Sequence, residues 1–206
     1  MTFPDKKFSS IGGYLDAYAA EIDMAMASVD RTAVECAARI LLATIEKDGQ
    51  IFACGNGGSA AISNHLHCDF AKGMSTHTNL RPRVQSLSTG VEIITAIAND
   101  IEYAEIFAFQ LSRAARPGDA LIAISSSGNS ENVCRALRWA RDNRMVTIAM
   151  TGFDGGNALT LADVGIHVTA HNYGVAEDVH QSLMHVLAQF VRHAAIDAEH
   201  LGRMRF

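Results

Sequence analysis

Short apolar segments alternate with helical segments from residue 50 onward, and this alternation restricts the possible folds more than any other feature of the sequence. Short apolar runs bounded by turns are typical of buried strands, and the helices between them provide the long crossovers that parallel strands need. The pattern predicts an α/β fold, a five-stranded parallel sheet flanked by helices on both faces. The expected strands are Ile51–Cys54, Val84–Leu87, Ala120–Ile124, Met145–Met150 and Val164–Val168.

Apolar residues at helical spacing predict the helices of this sheet and two more before it. The helices after the first strand are expected at Ala60–Ala71, Val91–Ala98, Tyr103–Ala115, Ser130–Asn143, Ala158–Ala162 and Ala176–Glu199. The two earlier helices, Phe8–Met26 and Arg31–Lys47, are not needed by a minimal sheet. We expect them to pack between subunits, with a cap over a neighbouring site as the alternative. The expectation is one domain, residues 1–206, with residues 1–48 as packing helices and residues 49–206 as the α/β core.

Composition and charge limit the classes of partner that the chain can have. A formal net charge of −5 gives no electrostatic footprint for nucleic acid, and the short basic tail from Arg203 to Arg205 is interpreted as a solvated end. No apolar run approaches the ~20 residues of a membrane span. The cysteines show no CxxC spacing, which is typical of reduced thiols. We therefore expect a cytoplasmic protein that binds neither nucleic acid nor membrane.

The turn after the first strand predicts a binding site for phosphate. Residues Cys54 to Ser59 read Cys-Gly-Asn-Gly-Gly-Ser, and a helix follows directly. A strand that enters a helix through a glycine-rich turn directs several backbone N–H groups to one point, where the helix dipole also favours negative charge. The turn also matches the loose dinucleotide fingerprint, but the second strand ends Ser86-Leu87-Ser88, without the acidic residue that binds ribose.

The third strand enters a second polar turn, which repeats this design. It leads to Ser125, Ser126 and Ser127, and then to Ser130 at a helix start. Loops at the carboxyl ends of parallel strands flank the crevice where ligands bind, so we expect the two turns to face the same ligand. Hydroxyl and amide donors without a lysine suit a phosphomonoester that is held but not transferred. Ordinary capping by Ser130 or Asn129 is the alternative, and it accounts for one serine better than for four.

Side chains that can bind a metal or transfer a proton follow on two helices. His65 and Asp69 are four residues apart, so they share one face of the helix after the first turn. The C-terminal segment adds Glu177 and His185 among apolar residues. Imidazole and carboxylate together suit a borderline divalent metal such as zinc. A capped, solvated pair is the ordinary alternative for His65 and Asp69.

Glu177 and His185 cannot both bind one metal from a single regular helix of one subunit. The eight positions between them correspond to about 12 Å along a helix. Either Glu177 lies in an irregular turn before the helix, or the two residues act in different copies of the site at a subunit interface.

Together, these motifs identify a resemblance to the sugar isomerase (SIS) superfamily, and within it to the phosphoheptose isomerases, over nearly the whole chain. The segments that carry the likeness are Cys54–Ser59, Ala96–Asp100, Ile124–Ser130, Thr151–Gly156 and the His-bearing final helix. The resemblance implies the flavodoxin-like, doubly wound sheet of that superfamily. It also implies a homotetramer with sites at subunit interfaces, which converts sedoheptulose 7-phosphate to heptose 7-phosphate.

The resemblance further implies roles for single residues. The family's zinc site uses a His, a Glu four residues later, and a Gln and a His from the C-terminal region. Those positions correspond here to His65, Asp69, Glu177 and His185. Asp69, one methylene shorter than the family's Glu, is the implied base, and His185 passes the second proton. Glu177 replaces the neutral Gln, so the metal would be bound by two carboxylates and two imidazoles.

The same resemblance implies a larger group of substrate-binding residues. They are Asn56, Gly57, Gly58, Ser59, Asn99, Asp100, Ser125, Ser126, Ser127, Ser130 and Glu177. Without the resemblance, Asn99 and Asp100 indicate a helix end and turn as readily as a site for sugar hydroxyls.

The sequence thus predicts a metal-assisted aldose–ketose isomerase of a phosphorylated sugar. One alternative is a non-catalytic sugar-phosphate-binding or regulatory protein with the same fold. Another is an isomerase of a different sugar phosphate. The departures from the family pattern at Asp69 and Glu177 are the reason to keep both alternatives.

Overall fold

The strands form one parallel sheet, as predicted. The computed structural model describes residues 3–197 and 201–202. Its strands are β1 (Gln50–Cys54), β2 (Arg83–Ser86), β3 (Ala120–Ser125), β4 (Val146–Thr151) and β5 (Val164–His167). Their order in the sheet is β2-β1-β3-β4-β5, and every neighbouring pair is parallel. This is the flavodoxin-like, doubly wound order, and each strand boundary lies within one residue of its predicted position.

Eight α-helices accompany the strands within the described part of the chain. They are α1 (Ile11–Ser28), α2 (Arg31–Glu46), α3 (Gly58–Cys68), α4 (Val91–Asp100), α5 (Ala108–Ala114), α6 (Glu131–Asp142), α7 (Gly156–Leu161) and α8 (Tyr173–Ala195). The prediction that the last helix continues to Glu199 is wrong, because α8 ends at Ala195 and Ile196 has an extended backbone. The basic tail Arg203 to Arg205 lies outside the described residues. None of the helices described is both long and apolar enough to cross a membrane.

Successive residues of the central strands point into two separate apolar cores. In β3, Ile122 and Ile124 are buried in a core that includes residues of α2, α3 and α8, whereas Leu121 and Ala123 are buried in a core that includes residues of α4 to α7. Because helices cover both faces, the strands of the sheet centre are continuous apolar runs rather than alternating ones.

Two of the predicted helices are interrupted in the structure. The helix expected over Ala60–Ala71 ends at Cys68 and continues as a π-helical turn, Asp69–Gly73, in which the Met74 N–H donates to the Asp69 carbonyl. The helix expected over Tyr103–Ala115 is divided into a 3₁₀ turn (Tyr103–Glu105) and α5. The residues between them, Ile106 and Phe107, are each 1% exposed. Burial in the core therefore overrides helical continuity at this point.

The N-terminal helices pack against the C-terminal one. α1 and α2 both contact α8, and α8 in turn contacts α3. α1 nevertheless exposes large apolar side chains, with Ile11 83% and Leu15 63% exposed, and α8 exposes Val186 and Phe190. The packing of α3 against α8 places the two histidine-bearing helices side by side.

Candidate active site

The candidate site lies where the order of the strands reverses. β1 and β3 are neighbours, but the helix after β1 covers one face of the sheet and the helix after β3 covers the other. The turns that leave these two strands therefore border one crevice at the carboxyl edge of the sheet. Asn56 and Ser59 from the first turn and the serines of the second turn line a common cavity of about 130 Å³. The two polar turns thus face each other, as the sequence predicts.

Asn56 ties the two turns together. Its Nδ2 donates to Asn132 Oδ1, and Asn132 Nδ2 donates to Asn56 Oδ1, each at 2.9 Å. The Tyr103 hydroxyl donates to the same Asn56 oxygen at 2.9 Å. Asn132 lies in the first turn of α6 and is 2% exposed. The amide of Asn56 therefore aligns the turns, a role that the sequence did not indicate.

The glycines of the first turn allow a close approach from α8. Gly57 has φ 55° and ψ −122°, a backbone conformation that residues other than glycine rarely adopt. A methyl group on Gly58 would collide with the carboxyl group of Glu177. This carboxyl therefore lies at the N-terminus of α3, where the helix dipole favours an anion. The anion position predicted for this turn is thus next to a carboxyl group of the chain itself.

The serine-lined cavity has hydroxyl groups that the fold does not use. It is lined by Asn56, Ser59, Ile124, Ser125, Ser126, Ser127, Ser130, Tyr173 and Glu177. Ser130 precedes α6, but within the described chain its side chain forms no capping hydrogen bond. Ser126 Oγ is buried, and among the described residues it has no hydrogen-bond partner. Helix capping therefore does not account for these hydroxyls, and they are available to a ligand.

A second group of polar side chains lies between α3, the π-helical turn and α8. His65, Asp69 and His185 offer ligand atoms that all lie within 4.8 Å of one another. His185 Nδ1 lies 2.7 Å from Asp69 Oδ2, and His65 Nε2 lies 3.3 Å from Asp69 Oδ1. The two imidazole rings meet edge to face with centroids 4.9 Å apart. This His–Asp–His group brings together three of the four metal ligands that the resemblance implied.

Gln181 completes the group, although it was not among the site residues predicted from the sequence. Its Nε2 lies 3.0 Å from His65 Nδ1 and 3.0 Å from His185 Nε2. An amide nitrogen only donates, so both of these ring nitrogens accept, and His185 Nδ1–H then donates to the Asp69 carboxylate. The spacing of four residues between Gln181 and His185 was the available signal, because it places both on one face of α8.

Glu177 does not join the His–Asp–His group. α8 is helical from Tyr173 onward, so the irregular turn considered for Glu177 is not formed. The remaining possibility, a ligand role for Glu177 in another copy of the site, stays a prediction. Asn99 and Asp100 are exposed at the end of α4, where Asn99 Nδ2 donates to Asp100 Oδ1 at 2.8 Å. They are not among the described residues that line the serine cavity.

His180 is a buried histidine next to the site, and its titration predicts a pH dependence of stability. It is fully buried, and burial lowers its pKa to about 4, which the nearby Thr151 backbone offsets only in part. An unfolded chain binds a proton at this residue near pH 6.5, but the folded chain does so only near pH 4. His180 therefore costs no stability above pH 6.5, and stability falls progressively as the pH is lowered toward 4.

His180→Leu is expected to remove about 2 kcal/mol of the difference in unfolding free energy between pH 8 and pH 5. Urea unfolding of both proteins at the two pH values measures this difference. The variant's stability at pH 8 serves as the control for packing. An unchanged pH difference in the variant would mean that His180 has nearly the same pKa in the folded and the unfolded chain.

The chain is similar to known proteins in sequence and in fold. A family model described as SIS domain matches residues 14–152. The phosphoheptose isomerase of Roseiflexus sp. (strain RS-1) is 34% identical over 179 residues, which are 86% of this chain and 90% of that protein. The phosphoheptose isomerase of Mycobacterium bovis (strain BCG / Pasteur 1173P2) is 39% identical over 171 residues, 80% of this chain and 85% of that protein. The solved phosphoheptose isomerase of Neisseria gonorrhoeae matches with a TM-score of 0.82 at 31% identity, covering 89% of this chain and 100% of that one.

Proposed function

Because the chain belongs to the phosphoheptose isomerase family of SIS-domain proteins, we propose that it isomerises sedoheptulose 7-phosphate to the aldose heptose 7-phosphate. One observation carries this proposal: the serine cavity, in which the hydroxyls of Ser126 and Ser130 are not used by the fold, and a His–Asp–His group lie along the same pair of packed helices, α3 and α8. Glu177 at the cavity and His185 in the group are about 12 Å apart along α8. This separation is comparable with the length of an extended seven-carbon sugar phosphate.

The serine cavity is the proposed phosphate site. Ser126 Oγ, without a partner among the described residues, and Ser130 Oγ, which forms no capping bond, can donate to phosphate oxygens. Binding the phosphate at one end of the sugar fixes the position of the reactive carbons at the other end. The binding energy of the phosphate is thus used to orient the sugar.

The His–Asp–His group is the proposed proton-transfer site. Isomerisation removes a proton from carbon 1 of the ketose, passes through an enediol and returns a proton to carbon 2. Oxygen 1 loses its hydroxyl proton while oxygen 2 gains one, so the overall composition does not change. Asp69 is the base that accepts the carbon proton, and His185 passes the proton between the oxygens. The 2.7 Å contact between His185 Nδ1 and Asp69 Oδ2 holds the imidazole in one orientation for this step.

We also propose a divalent metal ion, zinc, as cofactor. Two imidazoles and a carboxylate with ligand atoms within 4.8 Å of one another fit a borderline ion that prefers nitrogen and oxygen ligands. When bound, the ion would polarise the sugar's carbonyl group. His65, Asp69 and His185 are the residues that would hold it.

The experiment that tests this function is a turnover assay with a panel of sugar phosphates. Sedoheptulose 7-phosphate, a ketohexose phosphate and a ketopentose phosphate are incubated with the purified chain at several zinc concentrations, and the aldoses are separated and quantified. Turnover of the heptose is expected to exceed that of the shorter sugars. Turnover of a shorter sugar alone would reassign the substrate, and no turnover of any would remove the isomerase function.

A non-catalytic sugar-phosphate-binding protein is the second candidate, and the departures at Asp69 and Glu177 favour it. A base shifted by ~1 Å can lose about a hundredfold in rate. This candidate predicts that sedoheptulose 7-phosphate raises the melting temperature, by an amount that grows with the logarithm of its concentration relative to Kd, but is never converted. The two candidates are therefore separated by measuring stabilisation and turnover in the same samples.

Glu177 is expected to oppose phosphate binding when it is ionised. Burial raises its pKa, and the charge of Asp178 raises it further. A carboxylate and a phosphate a few ångströms apart repel by about 1 kcal/mol even in water. E177Q is therefore expected to raise the affinity for inorganic phosphate roughly fivefold at pH 8. The gain should shrink as the pH falls below the raised pKa, because the Glu177 carboxyl is then neutral.

Isothermal titration of both proteins with inorganic phosphate at pH 8 and pH 5 measures this effect. E46Q, which changes an exposed carboxylate at the end of α2, controls for a general change in net charge. Equal phosphate affinities for E177Q and the unchanged protein at pH 8 would place the Glu177 charge away from the bound anion.

We further propose that the chain assembles as a homotetramer with sites at subunit interfaces. The exposed apolar residues of α1 and α8, which include Leu15, Met24 and Phe190, support this assembly because such side chains gain free energy when a partner covers them. Light scattering of the purified protein should give four times the mass of the 22.1 kDa chain. A monomer mass would contradict the proposal.

A cytoplasmic location is proposed with the same function. The cysteines are free thiols, at Cys36, Cys54, Cys68 and Cys134, and this usage is typical of reducing compartments. A phosphorylated sugar substrate is consistent with that location. Fractionation of cells that produce the protein tests it.

A further inference from the structure

We propose that Phe153 and Tyr173 form an aromatic platform beside the serine cavity, and that this platform packs against the carbon chain of the sugar phosphate. The platform favours a phosphorylated sugar over inorganic phosphate at the same site. The inference deepens the sugar-phosphate function proposed above and rests on the phosphate site in the serine cavity. It also gives a role to the segment Thr151–Gly156, which so far carries only the family resemblance.

Tyr173 is an aromatic residue at the edge of the phosphate site. It is the first residue of α8, and it lines the serine cavity together with Glu177, which lies one helical turn later. Tyr173 is 61% exposed, so the core does not use most of its surface. A ring that borders a polar cavity and stays open offers an apolar face to a ligand held in that cavity.

Phe153 supports the ring of Tyr173. The two ring centroids are 4.8 Å apart with an angle of 59° between the ring planes, and the Phe153 ring also meets His171 edge to face at 5.9 Å. The preceding residue, Gly152, donates its N–H to the Ser126 carbonyl at 2.9 Å. The platform is therefore attached to the same serine turn that is proposed to hold the phosphate.

The backbone of Phe153 has a conformation that bulky residues rarely adopt. Its φ of 47° lies in the left-handed region. Its N–H donates to the Ala170 carbonyl at 2.9 Å, and its carbonyl accepts from His167 Nε2 at 2.9 Å. Such conformations persist where the surrounding structure fixes them, and they are concentrated at ligand sites. The two hydrogen bonds thus fix the direction of the Phe153 ring, which lies against Tyr173.

The size of the cavity indicates which part of a ligand meets the platform. The serine cavity, at about 130 Å³, has room for a phosphate group but not for a whole seven-carbon sugar phosphate. The carbon chain must therefore leave the cavity past its edge, where Tyr173 lies. The C–H groups of a sugar are apolar and slightly positive, and they pack well against the negative face of an aromatic ring.

A nucleotide is the competing ligand, because a planar base can also stack on an aromatic ring. The second strand, however, is followed by Leu87 and Ser88, without the acidic residue that binds the ribose of a dinucleotide. The described part of the cavity therefore favours a sugar phosphate over a nucleotide.

Binding of compounds that cannot be isomerised tests the platform independently of turnover. Heptitol 7-phosphate, inorganic phosphate and adenosine 5′-monophosphate are titrated calorimetrically into the unchanged protein and into Y173A, Y173F and F109A. Y173A is expected to lose about 3- to 12-fold in affinity for heptitol 7-phosphate and to keep its affinity for inorganic phosphate within about twofold. Y173F, which keeps the ring, should match the unchanged protein.

F109A is the matched control. Phe109 is a partly buried aromatic residue of α5, and it is not among the described residues that line the serine cavity. F109A should therefore bind all three compounds as the unchanged protein does. The affinity of Y173A for inorganic phosphate shows in the same experiment that its phosphate site is still folded.

Three results would overturn the platform. The first is equal affinity of Y173A and the unchanged protein for heptitol 7-phosphate, and the second is tighter binding of adenosine 5′-monophosphate than of heptitol 7-phosphate. The third is an equal loss in Y173F, which would assign the contact to the Tyr173 hydroxyl. A changed mass of Y173A in light scattering would place Tyr173 in a subunit contact and would also contradict the proposal.

Failure of the platform and failure of the isomerase function are distinguishable. If Y173A loses affinity for heptitol 7-phosphate but the unchanged protein turns over no sugar phosphate, the platform stands and the isomerase function fails. If turnover is present and Y173A binds heptitol 7-phosphate normally, the function stands and the platform fails.

Discussion

Replacing Asp69 with asparagine is expected to lower kcat for sedoheptulose 7-phosphate about 100- to 10,000-fold, the range associated with the loss of a general base. Asparagine keeps the size of the side chain and can still accept the His185 N–H, which Asp69 accepts at 2.7 Å. It cannot accept the proton from the sugar carbon. The change is therefore expected to appear in kcat, with little change in the melting temperature.

Initial rates at saturating substrate, with zinc content measured in the same samples, check this expectation. D142N, an isosteric change at an exposed carboxylate in the last turn of α6, should leave the rate unchanged. D69E introduces the glutamate that the family pattern has at this position, and this variant should keep measurable activity. A D69N rate within threefold of the unchanged protein, at equal zinc content, would assign the base to another residue.

The second large effect is expected at Ser130. S130A should reduce kcat/KM for the sugar phosphate about 10- to 150-fold, since a hydrogen bond to a charged group is worth roughly 1.5–3 kcal/mol. The melting temperature should not change, because within the described chain the Ser130 hydroxyl makes no capping bond to α6. If Ser130 were instead an ordinary helix cap, its loss would cost about 1 kcal/mol of stability and leave catalysis intact.

Steady-state kinetics and thermal melts of S130A separate these two outcomes. S112A is a suitable control, because Ser112 is an exposed serine whose hydroxyl donates only to a nearby backbone carbonyl, at 2.7 Å. Lower stability of S130A with unchanged kinetics would show that Ser130 acts as a helix cap.

The sheet and its crevice could be predicted from local sequence pattern. Short apolar runs such as Ala120–Ile124 indicate strands that are buried on both faces of the sheet, and buried parallel strands need helical crossovers. The two polar turns could be placed together for the same reason, since loops at the carboxyl ends of adjacent parallel strands meet. Local pattern is sufficient where a contact follows from the topology of the sheet.

The helix interruptions could not be predicted in this way. Helical periodicity is nearly the same for an α-turn and for the π-turn that begins at Asp69, and it does not show that Ile106 and Phe107 are drawn into the core. π-helical turns are frequent at functional sites, and this one places Asp69 opposite His185. Tertiary packing, which the periodicity does not contain, decides both features.

The composition of the His–Asp–His group was only partly accessible from sequence. His65, Asp69 and His185 followed from helix spacing and from the resemblance, but the partner at α8 was assigned to Glu177. The angle at which α3 packs against α8 determines which turn of α8 faces His65, and residue spacing carries no information about that angle. The spacing of Gln181 from His185 therefore places it on the correct face of α8, but its contact with His65 follows only from the packing of the two helices.

In the proposed reaction, the chain moves a proton between adjacent carbons of a phosphorylated ketose. The most direct measurement is NMR of sedoheptulose 7-phosphate incubated in D₂O with the zinc-loaded protein. We expect the aldose product to appear with deuterium at carbon 2, because the carbon proton exchanges with solvent while it is held by Asp69. If neither product nor deuterium appears at any zinc loading, although the sugar phosphate still stabilises the protein, the isomerase account is wrong.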